Sequence, residues 1–96
     1  MIDESEIRRR LEAEAHSCYS WSDGPGRVYD AHGHSYRKIL YCLRGSIRFD
    51  LLPSGERLEL GPGDRLELPP GTSHSAQVGA AGVSCIEGQA KAKRGA

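Results

Sequence analysis

Three histidines, His32, His34 and His74, are the side chains of this sequence with the most chemistry to offer. Neutral imidazole binds zinc, iron, nickel, manganese or copper, and three protein ligands leave a coordination position open for water or a substrate. Residues two apart in a strand point to the same side. His32 and His34, separated only by Gly33, would therefore project two rings to one face. If that strand continues, Tyr36, Lys38, Leu40 and Cys42 share the face, and Tyr36 and Cys42 would line a pocket. His74 lies on a different segment with Ala76 and Val78 on its side. An antiparallel barrel can bring the two segments together, so the three rings can converge. The plainer alternative is that each histidine is a hydrogen-bonded polar group with no ligand role.

The elements that must position these side chains are short. Asp3 followed by Glu6 is a helix-capping pair, and Ile7, Leu11 and Ala15 then recur at four-residue spacing, which predicts an amphipathic helix over 1–15. Arg8, Arg9 and Arg10 fall on its solvated faces. After a segment with Tyr19 and Trp21, expected to cover an opening of the barrel or a sheet face, Asp23-Gly24-Pro25-Gly26 is a turn cluster. Ile47, Phe49 and Leu51 alternate with charged residues, as do Leu58 with Leu60 and Leu66 with Leu68. Gly/Pro turns separate these runs at 53–55, 61–64 and 69–71, and Gly79 to Gly82 is expected to turn the chain into a last strand, Val83 to Glu87. Evenly spaced short strands of this kind predict an all-β antiparallel sandwich or barrel over 16–88. The stretch Ile39 to Leu43 does not alternate, so both of its faces need cover, either from the N-terminal segment or from a second copy of the chain. A homodimer is expected on that ground. Residues 89–96, with Lys91, Lys93 and Arg94, read as a flexible basic tail.

The whole composition narrows the function classes. Ninety-six residues suit one domain with one modest core. Thirteen basic and thirteen acidic residues cancel, so no global field steers the chain to nucleic acid or an anionic membrane. No apolar run approaches a membrane span or a signal-peptide core, and a cytoplasmic protein is the expectation. Cys18, Cys42 and Cys85 are odd in number and widely spaced, which reads as reduced thiols rather than a disulfide framework.

The punctuation around the histidines adds a family resemblance. His32-Gly33-His34, then Lys38 and Gly45, resembles the first motif of the cupin superfamily, which has glutamate where Lys38 stands. Gly63, Pro69, Gly71 and His74 resemble the second motif, which ends in asparagine where this chain has Val78. The chain is thereby identified as a small single-domain cupin, with the resemblance running over roughly 27–88. This implies an antiparallel double-stranded β-helix, or jelly-roll barrel, with a short N-terminal helix. It also implies that His32, His34 and His74 are the metal ligands and that Lys38 replaces the usual carboxylate.

That replacement has an energetic consequence. An ammonium about 4 Å from a divalent ion is repelled by roughly 8 kcal/mol at an effective dielectric near 20. Either Lys38 is neutral, or it turns to an acidic partner such as Glu87 in a structural role, or the pocket carries no metal. Two functions are expected from different classes. The first is a metal-binding cupin, an oxygenase or isomerase acting on a small polar organic molecule, with Lys38 as a catalytic or substrate-contacting amine. The second is a non-catalytic module that binds a small ligand, with or without metal.

Overall fold

Helix α1 (Glu4–Glu14) begins where Asp3 accepts hydrogen bonds from the Ser5 and Glu6 backbone amides, at 3.0 and 3.2 Å, so the first turn's free donors are satisfied. It ends without a glycine: Ala15 is already extended and opens the first strand. Ile7 and Leu11 are its buried residues, on one stripe, while the exposed arginines Arg8, Arg9 and Arg10 pair with Glu12 or Glu6 along the helix. The computed structural model describes residues 2–91, in which six strands follow: β1 (Ala15–Asp23), β2 (Val28–His32), β3 (Lys38–Leu51), β4 (Arg57–Leu60), β5 (Arg65–Leu68) and β6 (His74–Ala90).

All pairings are antiparallel. Strands β3 and β6 form the spine, running alongside each other from Lys38↔Gln89 to Leu51↔His74. Each carries two further partners: β1 and β2 pair with β6, and β4 and β5 pair with β3. The fold is thus mostly antiparallel β-structure with one N-terminal helix, as the strand spacing predicts.

Three sequence expectations change. Gly79 to Gly82 does not reverse the chain, because β6 runs through it without a break. Gly82 and Gly45 both have positive φ, +80° and +73°, and the register between β3 and β6 shifts twice beside Gly45. The glycines make bulges that bend two long strands together. They also let the strands touch, since a Cβ on Gly45 would overlap the Gly82 carbonyl oxygen. Second, the segment after Ala15 is a strand, β1, on the free edge of β6. Third, Gln89 and Ala90 are not part of a loose tail. They pair with His16 and Ala15, and the Lys91 amide donates to the Glu14 carbonyl at 2.9 Å. Lys93 and Arg94 lie outside the described residues.

The non-alternating stretch of β3 is buried on both sides, as expected. Leu40 and Cys42 face the barrel interior with Ile47, Phe49 and Val83. Ile39, Tyr41 and Leu43 face the other way, under Ile7 and Leu11 of α1. A salt-bridged clamp fastens the helix there: Glu14 accepts from Arg65 at 2.8 and 3.2 Å and from the Tyr41 hydroxyl at 3.1 Å. The cover for this apolar face therefore comes from the same chain, and the face itself needs no second copy.

Candidate metal centre

The local backbone holds the histidines in two different ways. His32 is the last residue of β2 and pairs directly with His74, the first residue of β6. His34 is not on a strand. β2 stops at His32, so the expected extension through Tyr36 to Lys38 is a loop. That loop is pinned to the turn before His74, because the Gly71 amide donates to the His34 carbonyl at 2.7 Å. Gly33 lets it come close: a Cβ there would sit 3.3 Å from the Thr72 carbonyl oxygen.

The three rings converge although one leaves the strand. Ring centroids lie 5.1 Å apart for His32–His34, 4.5 Å for His32–His74 and 5.7 Å for His34–His74. A nitrogen from each ring falls within 4.8 Å of the other two. The tautomers follow from hydrogen bonding. His32 Nδ1 lies 2.9 Å from the Asp30 carbonyl and His74 Nδ1 lies 3.0 Å from the Thr72 carbonyl. A carbonyl only accepts, so Nδ1 carries the hydrogen in both rings and Nε2 presents its lone pair. His34 Nε2 and His74 Nε2 are buried with no hydrogen-bond partner among the described residues. Burial, with Lys38 and the neighbouring rings adding to it, lowers the pKa of both His34 and His74 and keeps them neutral near pH 7. Orphaned, neutral imidazole nitrogens gathered this closely are the donor set a divalent transition metal needs. His32 is the exposed member of the set, so the centre is open on its side.

Lys38 stands on the first position of β3, 7% exposed, and its ammonium lies 3.1 Å from a Glu87 carboxylate oxygen. Register explains the pair. Glu87 sits directly opposite Leu40 on β3 and opposite Tyr19 on β1, so Lys38 and Trp21 are its diagonal neighbours. Both aromatic residues also donate to Glu87, Tyr19 at 3.1 Å and Trp21 Nε1 at 2.7 Å. Burial and the Glu87 charge push the Tyr19 hydroxyl up to about 12, so it stays protonated and donates. Of the outcomes expected for Lys38, the chain shows the one with an acidic partner. The pair is not sealed away, however, because Lys38 and Glu87 line the same cavity as His32. Its volume is about 330 Å³, and Trp21, Tyr29, Ile47, Phe49 and Ala76 supply apolar walls. At its rim the Tyr29 hydroxyl donates to Asp23, and burial with that carboxylate raises Tyr29 to about 12.

The other named residues take distinct places. Tyr36 stacks on His34, with centroids 4.9 Å apart, and is not part of the cavity wall. Cys42 also lies off the wall, fully buried in the core with its sulfur 3.5 Å from the Arg44 carbonyl. It faces Cys85 across the ladder, and that contact, with burial, pushes the Cys85 thiol up and leaves it protonated. Sequence reasoning named Glu87 as a candidate partner of Lys38 without placing the two face to face, and overlooked Asp23, Tyr29 and Phe49 as cavity residues. Period two along β6 from Val83 and Cys85 was the available signal for an inward Glu87.

The fold and this centre define a class. A family model described as the cupin domain matches residues 20–87, and the chain belongs to that family. No curated protein sequence matches it. Among solved structures, the chain is similar to the DMSP lyase DddQ from Ruegeria pomeroyi, with TM-score 0.70, 23% identity and coverage of 82% of this chain and 40% of that one. It is also similar to the polyketide cyclase RemF from Streptomyces resistomycificus, with TM-score 0.69, 22% identity and coverage of 81% and 56%. The cupin domain of CENP-C from Drosophila melanogaster superposes with TM-score 0.69 at 17% identity, covering 78% of this chain and 65% of that one. The chain spans less than two thirds of the length of each. At these identities the likeness establishes the fold, and each named activity remains that of its own protein.

Proposed function

We propose that this chain is a metal-dependent cupin in which His32, His34 and His74 hold one divalent transition metal through their Nε2 atoms. The reaction we assign is oxygenation or isomerisation of a small polar organic molecule in the adjoining cavity. The observation that carries this reading is the pair of buried, partnerless Nε2 atoms on His34 and His74 beside the carbonyl-fixed ring of His32. A metal held there would act as a Lewis acid on a substrate oxygen at its open position. The residues do the rest. Asp30 and Thr72 carbonyls fix the His32 and His74 rings through Nδ1. Lys38 offers N–H donors to negative charge on the ligand, with Glu87 holding the ammonium in place. Trp21, Tyr29 and Phe49 exclude water from the ligand body.

Glu87 also answers the repulsion between Lys38 and a metal, since the ion pair as a whole is neutral. The same pair favours a second reading. Lys38 and Glu87 satisfy each other without any metal, as a ligand-binding module of non-catalytic type would require.

Metal analysis of untagged protein separates the two. One divalent metal per chain is expected, with affinity falling more than about 100-fold in His74→Ala, because a lost ligand costs more than the 10–100-fold of a lost supporting contact. Protein purified without stoichiometric metal, and unable to take up zinc or iron afterwards, would sink the metal reading and leave the module. A cytoplasmic location is part of the proposal; since α1 supplies the cover that was the ground for a homodimer, sedimentation velocity at micromolar concentration decides the assembly. No helix among the described residues is long and apolar enough to cross a membrane.

A further inference from the structure

We infer that the Lys38 side of the cavity is a carboxylate-binding site that works without the metal, and that the ligand is a small organic monocarboxylate with an apolar or aromatic body. The inference deepens the proposed function and takes from it only the premise that this cavity is where the ligand sits. An ammonium has three N–H donors. Among the described residues Glu87 is the one acidic partner of Lys38, at 3.1 Å, and the side chain is only 9% exposed. The remaining donors belong to a residue that lines the cavity.

Glu87 weakens this attraction, since its charge opposes that of Lys38, but its oxygens are already engaged by donors from the protein. Oε1 accepts from Trp21, and Oε2 accepts from both Tyr19 and Lys38. A ligand therefore meets the remaining Lys38 donors beside a carboxylate that already accepts from three side chains. Asp23 at the rim is likewise taken up by Tyr29 and by the Gly24 amide. The size and polarity of the cavity narrow the class further. About 330 Å³ accommodates about ten non-hydrogen atoms, at roughly 30 Å³ each. Trp21, Tyr29, Ile47, Phe49 and Ala76 offer no partner to a second negative charge on the ligand, and Asp23 would repel it. A neutral amide offers Lys38 one uncharged carbonyl acceptor in place of two carboxylate oxygens, so the charge-assisted bonds to the acid are the stronger ones.

Trp21 is the only tryptophan in the chain and lies in the cavity wall, so its fluorescence reports occupancy directly. The probes are phenylacetate and phenylacetamide, equal in size and different in charge, titrated into chelator-treated protein. Phenylacetate should bind at least roughly tenfold more tightly than the amide. Glu87→Gln keeps an acceptor for Trp21 and removes the opposing charge, so phenylacetate should tighten by roughly threefold or more while the amide is unchanged. The double variant Lys38→Met/Glu87→Gln, its fold checked by circular dichroism, should bind both probes equally. Equal affinities in the wild type, no phenylacetate binding at millimolar concentration, or an acid preference that survives the double variant would overturn the assignment. Should the double variant not fold, the response of Glu87→Gln decides alone. Because these titrations contain no metal, they can succeed where the metal centre fails, and the reverse.

Discussion

At the scale of single residues, the Lys38–Glu87 pair is where the chain departs furthest from the family pattern that its motifs follow. The position of a ligating carboxylate has become a buried ammonium, and the compensating charge has moved to another strand. Truncating one partner of a buried pair strands the other charge, whereas replacing both with neutral groups is often tolerated. Lys38→Met should therefore destabilise the protein by about 3 kcal/mol, and Lys38→Met/Glu87→Gln should recover most of that loss, read as urea midpoints at constant m. The histidines give a pH prediction. Burial lowers His34 and His74 below their ordinary value of 6.5, so the unfolded chain binds protons first. Their contribution is complete above pH 6.5 and is lost as pH falls below it through the lowered values. The melting temperature of metal-free protein should accordingly drop on acidification from pH 7 to pH 5.5, and His34→Gln should flatten the slope. An unchanged slope would mean that other groups set the acid sensitivity. The histidine set was legible because its spacing is a local property. Glu87 could be named as a candidate for Lys38, but that the two meet was not legible, because cross-strand neighbours depend on register.

At the scale of elements, α1 and the two long strands decide what the site can be. The helix lies on Ile39, Tyr41 and Leu43, turning a strand with two apolar faces into the wall between two buried clusters. Leu11 is fully buried in the outer cluster, and Leu11→Ala should cost about 2–5 kcal/mol in chemical denaturation. A cost below about 1 kcal/mol would mean that the helix is loosely docked. Sequence periodicity found this helix and its buried stripe, and left the cover of β3 to the N-terminal segment or a second copy of the chain. It misjudged Gly79 to Gly82, since glycines that license a reverse turn equally license a bulge. What separates the two outcomes is the neighbouring strand: β3 carries its own glycine at the same level, and the pair lets both strands bend in step. His34 shows the converse case. Its reading as a strand residue was wrong, yet the ring still reaches the centre because Gly71 anchors its loop.

At the scale of the whole molecule, the three-histidine cluster gathers the ends of the barrel strands. His32 and His34 flank the end of β2, and His74 opens β6, so one ion would cross-link segments some 40 residues apart in sequence. A metal that binds only the folded chain stabilises it by mass action, by about 4 kcal/mol when its free concentration is 1,000 times Kd. In a domain of this size that corresponds to roughly 15 °C or more in Tm. Zinc should raise Tm by that order in the wild type and leave His74→Ala unmoved in differential scanning fluorimetry. An equal rise in both proteins would place the binding elsewhere.

The sequence by itself determined the residue types, the alternating β-runs, the capped helix and the spacing of the three histidines. All of these follow from spacing along the chain, which needs no partner to be read. Only the tertiary structure decided who faces whom. It gave Lys38 to Glu87, set Tyr19 and Trp21 against the same carboxylate, and removed Cys42 from the cavity wall by turning it into the core. The physical reason is that contacts across a sheet are fixed by register and by bulges. A shift of one residue exchanges every inward side chain for an outward one, while the sequence pattern along each strand stays the same.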